Sequence, residues 1–242
     1  MVETTLRRID ELWAQRLGFD AARLRTPGVH AIGPDVRAPR STLFLLQREA
    51  ALLVCGEPDA TRLVVVRLDA DASLPDASVV YARLGERVDR LVGPAFIGYR
   101  DAPPALPPGA GALRALEAAD RASLSRLRDA VSSEEWEHAG IASDHPDALV
   151  FGAFEGDRLL AAASFERLLG VAAHLGVVTH PASRGRGAGR RVVAAAAHAA
   201  AEEGLLLQYQ TLEANGPSLR IARTLGFEPY ARSLAVRLRS RS

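Results

Sequence analysis

Between an apolar run ending in Val177-Val178-Thr179 and an alanine-rich segment stands the hexapeptide Arg184-Gly185-Arg186-Gly187-Ala188-Gly189. A chain written this way has to turn sharply from a strand into a helix. The glycines permit backbone conformations that side chains deny, and alanine is the strongest helix former. Such a turn leaves main-chain N–H groups uncovered, and the first turn of the helix adds unpaired donors and the positive end of its dipole. It is a place to bind a phosphate or diphosphate. The charge agrees: from Arg167 to Ala201 there is no Asp or Glu, while Arg167, Arg184, Arg186, Arg190 and Arg191 fall within that span, in a chain of formal net charge +1. Cations in a helix's first turn oppose the dipole by roughly 0.3–1 kcal/mol each, so Arg190 and Arg191 make sense with an anion among them. A solvated basic turn is the plainer reading of the same residues.

The hexapeptide fits the R/Q-x-x-G-x-G/A segment with which GCN5-related N-acetyltransferases (GNAT) hold the coenzyme A diphosphate, and the chain resembles that superfamily at other points. Pro181 precedes Arg184 as it often does in the family. Asn215-Gly216-Pro217-Ser218 followed by Leu225-Gly226-Phe227 is similar to the family's later N-x-x-S/A and L-G-F segment. Leu113-Arg114-Ala115-Leu116 followed by Asp120 resembles its opening strand and helix cap. The resemblance spans residues 112 to 240 and looks like a bacterial subgroup with an extra N-terminal region. It implies an α/β (α+β) fold, a mixed and mainly antiparallel sheet flanked by helices, with a smaller α+β N-terminal region. It also implies acetyl-CoA as cosubstrate and no metal. Val177 and Thr179 would pair with the pantetheine arm. Arg184, Gly185, Arg186, Gly187, Ala188, Gly189 and Arg190 would surround the diphosphate, with Asn215 and Ser218 as further contacts.

The residues depart from the family pattern where the proton transfers belong. The position of the usual tyrosine acid is Ala222, and Ala173 and Leu175 stand where a Glu or His base is common, because period-two alternation sends His174 and His180 to the other face. Replacements are sought in Glu135, beside Glu134, and in Glu213 as bases, and in Tyr230 or water as the acid. For the carboxylates, a solvated surface acid or a helix first-turn acid is the competing reading.

The coarse pattern over this half agrees. Ala148 to Phe154 and Arg158 to Phe165 flank a hairpin turn at Glu155-Gly156-Asp157, and a second hairpin passes through Leu168-Leu169-Gly170 into Val171 to Thr179. A helix from about Ala188 to Glu203 closes at Gly204, Leu205 to Leu212 reads as a buried strand, Pro217 to Leu225 as a short helix, and Phe227 to Leu238 as a returning strand.

The Pro/Gly cluster at residues 101–111 is the best boundary, giving a region 1–100, a linker 101–111 and a domain 112–242. Ahead of it a helix from Glu3 to Leu17 carries Leu6, Ile9 and Trp13 at helical spacing, and Leu43 to Leu46 with Ala51 to Cys55 form a hairpin. That half is either a degenerate copy of the same fold or a cap over the acceptor pocket; the sequence leaves both open. The single cysteine excludes an internal disulfide and a thiolate metal cluster, and Cys55 reads as a buried small residue. No apolar stretch reaches the length of a membrane helix and no signal-peptide pattern opens the chain, so a soluble, cytoplasmic protein is expected. All 30 basic residues are arginine. No broad basic face with aromatic platforms points to nucleic acid. The expected function is acetyl transfer from acetyl-CoA to a primary amine of a small-molecule acceptor. An acyl-CoA-binding sensor or interaction module without turnover is the rival. Pairing of two copies through Ala235 to Leu238 is a further expectation.

Overall fold

The computed structural model describes residues 1–33, 42–65, 72–141 and 149–239. In chain order the first elements are α1 (Glu3–Leu17), β1 (Gly28–Ile32), β2 (Thr42–Arg48), β3 (Ala51–Gly56), α2 (Pro58–Val65), α3 (Ala77–Leu84) and β4 (Val88–Arg100). Then come β5 (Leu113–Ala115), α4 (Arg121–Asp129), α5 (Ser133–Ala139), β6 (Phe151–Glu155), β7 (Arg158–Leu168) and β8 (Ala172–Thr179). The last are α6 (Ala188–Glu202), β9 (Leu206–Leu212), α7 (Gly216–Thr224) and β10 (Glu228–Leu238). The mixed α+β architecture is the one expected. Of the expected strand from Ala148, the first residue lies outside the described residues. The chain divides into two compact units, one of Met1–Gly98, Thr211–Leu219 and Pro229–Ser242, the other of Tyr99–Gln210 and Arg220–Glu228.

In the first unit the strand order is β1-β3-β2-β10-β4. The expected β2–β3 hairpin is present, with Leu43 opposite Gly56 and Arg48 opposite Ala51, and β10 runs antiparallel to β2. β3 is buried at every position because both its faces are covered. Leu43, Leu45, Leu52 and Val54 pack with Ala60 and Val64 of α2 and Val80 and Leu84 of α3. Phe44 stacks on Trp13 of α1 at 6.0 Å, and Cys55, buried, directs its thiol to the Leu17 carbonyl at 3.7 Å. The apolar positions of α1 recur at helical spacing, with Ile9, Leu12, Trp13 and Leu17 all buried, and Gly18 in the left-handed region ends the helix.

One charged residue lies on the buried side of α1. Asp10 is 1% exposed. Its carboxylate accepts hydrogen bonds from Arg48, from Arg25 Nε at 2.7 Å and from the Tyr230 hydroxyl at 2.7 Å. Arg48, itself buried, lies over the Tyr230 ring at 5.0 Å, and Arg25 reaches Glu3 at 2.5 Å. Tyr230 therefore departs from its expected place as an acid: its proton is directed to a buried carboxylate in the first unit's interior.

In the second unit the strand order is β9-β8-β7-β6-β5, antiparallel from β5 to β8 and parallel between β8 and β9. Helix α6 packs on β6, β7 and β8, and α4 and α5 pack on β7 and β8 respectively. Leu127, Ala139, Phe154, Leu159, Ala162 and Val178 form one core cluster. Alternation puts Ala161, Ala163 and Ala173 on the other face, under α6. They and Ala194, Ala196, Ala197 and Ala200 of α6 are fully buried, so small side chains meet small side chains. Helix α6 ends in a Schellman motif: Gly204 N–H donates to Ala201 O at 2.9 Å and Leu205 N–H to Ala200 O at 3.2 Å. At the start of the unit, Arg114 grips Asp120 at 2.6 and 2.9 Å, and Asp120 also accepts from Glu117 N–H. The Arg114 guanidinium and that N–H hold the Asp120 carboxyl at about 2.

Removing Asp10 leaves Arg48 buried beside an absent partner. Asp10→Ala is expected to lower unfolding stability by about 3–5 kcal/mol, and Tyr230→Phe, which deletes one hydrogen bond to a charge, by about 1.5–3 kcal/mol. Denaturant titration followed by tryptophan fluorescence reads both.

Candidate functional site

The site begins where two parallel strands part. β8 and β9 are paired at Ala172 with Leu206, Ala173 with Leu207 and His174 with Gln208, and there the pairing stops. β8 continues to Thr179, held on its other edge by β7 throughout. Leu175 to Thr179 thus present an edge with no strand beside it among the described residues, and a strand edge offers N–H and C=O groups to any extended ligand. At the point of divergence Gln208, 1% exposed, donates from Nε2 to the hydroxyl of the fully buried Tyr99. This Tyr99–Gln208 pair escaped the sequence analysis. Neither residue belongs to a motif, and only the register of the strands places them at the fork.

Thr179 leads into the glycine turn. His180 is a turn residue whose Nδ1 accepts from Ala182 N–H at 3.2 Å, and Pro181–Ser183 form a single 3₁₀ turn. Gly185 (φ 75°) and Gly187 (φ 85°) then adopt left-handed backbone. The first helical hydrogen bond of α6 runs from Arg191 N–H to Gly187 O. The N–H groups of Ala188, Gly189 and Arg190 therefore have no partner inside the helix. Gly189 sits closest to the sheet: a Cβ there would lie 2.7 Å from Thr179 Oγ1 and 3.3 Å from Ile221 Cδ1. The strand edge, the two left-handed glycines and the helix N-terminus are thus joined without intervening bulk. The residues present fit a diphosphate linked to an extended arm.

The cations divide. Arg184 and Arg186 are exposed, and Arg190 is half-buried, with a terminal nitrogen 3.9 Å from where a Cβ on Gly187 would stand. Arg191 turns away. It is 9% exposed and donates to the carbonyls of Ala110 at 2.6 Å and Gly111 at 3.2 Å, so those carbonyls, and not an anion, account for its place in the first turn.

Glu135 lies on α5, the helix that touches β8 on the opposite face from α6. Gly176 allows that contact: a Cβ there would lie 2.3 Å from Ala139 O and 2.5 Å from Gly140 O. Ser132 caps α5 by accepting from Glu135 N–H at 3.1 Å, and the Glu135 carboxylate reaches across to Arg184 Nη2 at 2.5 Å. The structure brings together Val177, Thr179, Arg184, Gly185, Arg186, Gly187, Ala188, Gly189, Arg190 and Glu135 within the second unit. The other expected residues belong to the first unit. Glu213 is gripped by Arg232 at 2.6 and 2.9 Å, and this bond raises the arginine's pKa. Asn215 caps α7, its side-chain oxygen accepting from Ser218 N–H at 3.1 Å. Tyr230 is bound to Asp10. Ala222, at the family's tyrosine position, is fully buried.

Among the described residues no group of three His, Cys, Asp or Glu side chains could hold a metal ion, and no helix is long and apolar enough to cross a membrane.

Residues 113–227 match the Acetyltransferase (GNAT) family. No curated protein matches the chain. Among solved structures, a GNAT-family protein from Novosphingobium aromaticivorans is 23% identical, with a TM-score of 0.48 over 64% of this chain and 68% of its own. A functionally unknown conserved protein from Staphylococcus epidermidis shares the fold at 10% identity, with a TM-score of 0.50 over 68% of each chain. The YncA protein of Salmonella typhimurium, solved with its cofactor acetyl-CoA, is 17% identical, with a TM-score of 0.42 over 55% of this chain and 97% of its own.

A methyl group on Gly176 meets backbone atoms that can yield only if α5 moves, whereas one on Gly189 meets the ends of two side chains. Gly176→Ala is therefore expected to destabilise by about 1–3 kcal/mol and Gly189→Ala by less, since alanine returns up to about 1 kcal/mol of helix propensity there. Thermal unfolding of the two variants gives the order.

Proposed function

Because residues 113–227 form a domain of the GNAT acetyltransferase family, we propose that this protein transfers an acetyl group from acetyl-CoA to a primary amine of a small-molecule acceptor. The supporting observation is the fork: β8 leaves β9 after His174 and delivers its open edge directly to the glycine turn. When bound, acetyl-CoA would supply a thioester whose carbonyl carbon forms a C–N bond with the free amine while its C–S bond breaks; CoA would leave as the thiolate, and the proton shed by the nitrogen would convert it to the thiol. The N–H groups of Ala188, Gly189 and Arg190, with the dipole of α6, hold the diphosphate, and Arg184, Arg186 and Arg190 balance its charge. Main-chain groups of Val177 and Thr179 fix the arm by pairing with it as a strand would. Such fixing is the main task, since orienting two reactants removes much of the barrier to their combination.

Proton transfer follows from how the carboxylates are placed. Glu135 and Glu213 each bind an arginine. Each carboxylate is thereby engaged by a guanidinium in place of an acceptor amine. We assign Glu135 the role of positioning Arg184 at the turn. The acceptor reacts as the free amine.

Isothermal titration with CoA tests the cofactor half. Wild type binds, and Gly187→Asn, which tolerates left-handed backbone, retains binding. Gly187→Glu, which sets a carboxylate among the donors, loses more than about ten-fold in affinity. Absence of binding by the wild type removes the proposal. CoA binding with no acetylation across a broad amine panel assigns the protein instead to acyl-CoA sensing.

The second test is a pH profile. With the acceptor entering as the free amine, kcat/KM rises with pH and levels off at the amine's own pKa. Two acceptors of different basicity displace that inflexion, whereas an enzyme base gives the same inflexion for both.

A further inference from the structure

Gln208 stands at the base of the fork. It belongs to the last paired position of β8 and β9, opposite His174, and residues paired in this way share a face of the sheet. Gly176, two residues beyond His174 and so on the same face, lies against the Ala139 and Gly140 carbonyls. That is the face covered by α5, away from α6. Gln208 is 1% exposed, and its amide is held at one end, where Nε2 donates to the Tyr99 hydroxyl. At the other end Oε1 is buried with no hydrogen-bond partner among the described residues.

A carbonyl oxygen in this condition has lost its hydrogen bonds to water and gained none in return, which is uncommon in a folded interior. Its position is nevertheless fixed. The two ends of a carboxamide point to opposite sides, so the bond from Nε2 to Tyr99 turns Oε1 away from that hydroxyl, at the point where β8 and β9 part. The direction of β8 says what arrives there. A ligand anchored at the glycine turn and paired along the open edge runs from Thr179 back toward Leu175. Its far end meets the His174–Gln208 pair.

Resting on the acetyl-transfer reading above, we propose that Gln208 Oε1 accepts a hydrogen bond from the attacking amine of the acceptor. A free primary amine has two N–H groups and one lone pair. Anchoring one N–H on a fixed oxygen aims the lone pair at the thioester carbonyl carbon. As the C–N bond forms the nitrogen becomes positive and its N–H a stronger donor, so the hydrogen bond tightens toward the transition state. Gln208 takes no proton: the C–S bond breaks, and the proton shed by the nitrogen goes to the leaving thiolate.

Wild type, Gln208→Leu and Gln208→Glu are compared with propylamine, benzylamine and spermidine as acceptors. In Gln208→Leu, kcat/KM for each amine is expected to fall by about ten- to a hundred-fold, the scale of one hydrogen bond to a charged group, with CoA affinity by titration calorimetry unchanged. Gln208→Glu keeps an oxygen at the position and adds a group able to take the proton. It is expected to recover most of the rate at high pH, with one inflexion common to all three amines. A residue that only holds Tyr99 would, on replacement by Leu, lower the melting temperature and leave kcat/KM per folded enzyme unchanged. That result overturns the inference while acetyl transfer stands. Should Gln208→Leu fail to fold, Gln208→Glu decides alone: an inflexion that moves with each amine's own pKa overturns the inference, and a common one supports it. Acetylation of none of the three amines by wild type overturns the transfer reading, and the inference with it.

Discussion

A backbone N–H or C=O removed from water has to find a partner, and the fork between β8 and β9 creates several that no strand supplies. β7 pairs with β8 along its whole length, so the strand cannot swing to close the gap. β9 accompanies it for three positions only. The opening is therefore fixed by the sheet itself, and the glycine turn lies at its end because β8 leads straight into it.

The remainder of the second unit keeps that strand in place from both faces. Gly176 lets the carbonyl end of α5 approach on one face, and Gly189 lets α6 approach on the other. A side chain at Gly176 would press on the backbone at the end of α5, and one at Gly189 on the side chains of Thr179 and Ile221. Alanines on α6, set over alanines in the sheet, extend the close contact along the helix. Packing and binding thus depend on the same small residues. Arg184, reaching Glu135 on α5, ties the turn to the opposite layer as well.

Much of this was legible from local signals. The glycine turn, the alanine helix with its Gly204 stop, the two hairpins and the strand from Leu205 each follow from periodicity or turn chemistry within a few residues, and each is present. The cap at Asn215 was legible only as a motif; its local role is to bind Ser218 N–H. What escaped depends on long-range contact. Alternation along β10 gives the faces of the strand, but nothing near Tyr230 indicates that Asp10, at the other end of the sequence, waits beneath it. Arg191 looked like its neighbour Arg190 until the linker carbonyls supplied its partners. The Tyr99–Gln208 pair depends on a strand register that no single segment encodes.

The attachment of the 101–111 segment to α6 also limits where the chain can be shortened. Composition suggests cutting just before the family-matched region. A polypeptide starting at residue 112 would leave Arg191, a nearly buried guanidinium, without the two carbonyls that receive it, and His198 without Pro104. The exposed strip on α6 would be both apolar and charged, a combination that favours self-association over solubility. For this chain a proline-rich stretch marks a covering layer, and the latest starting residue that preserves the contacts of the helix beneath it lies upstream of Pro104.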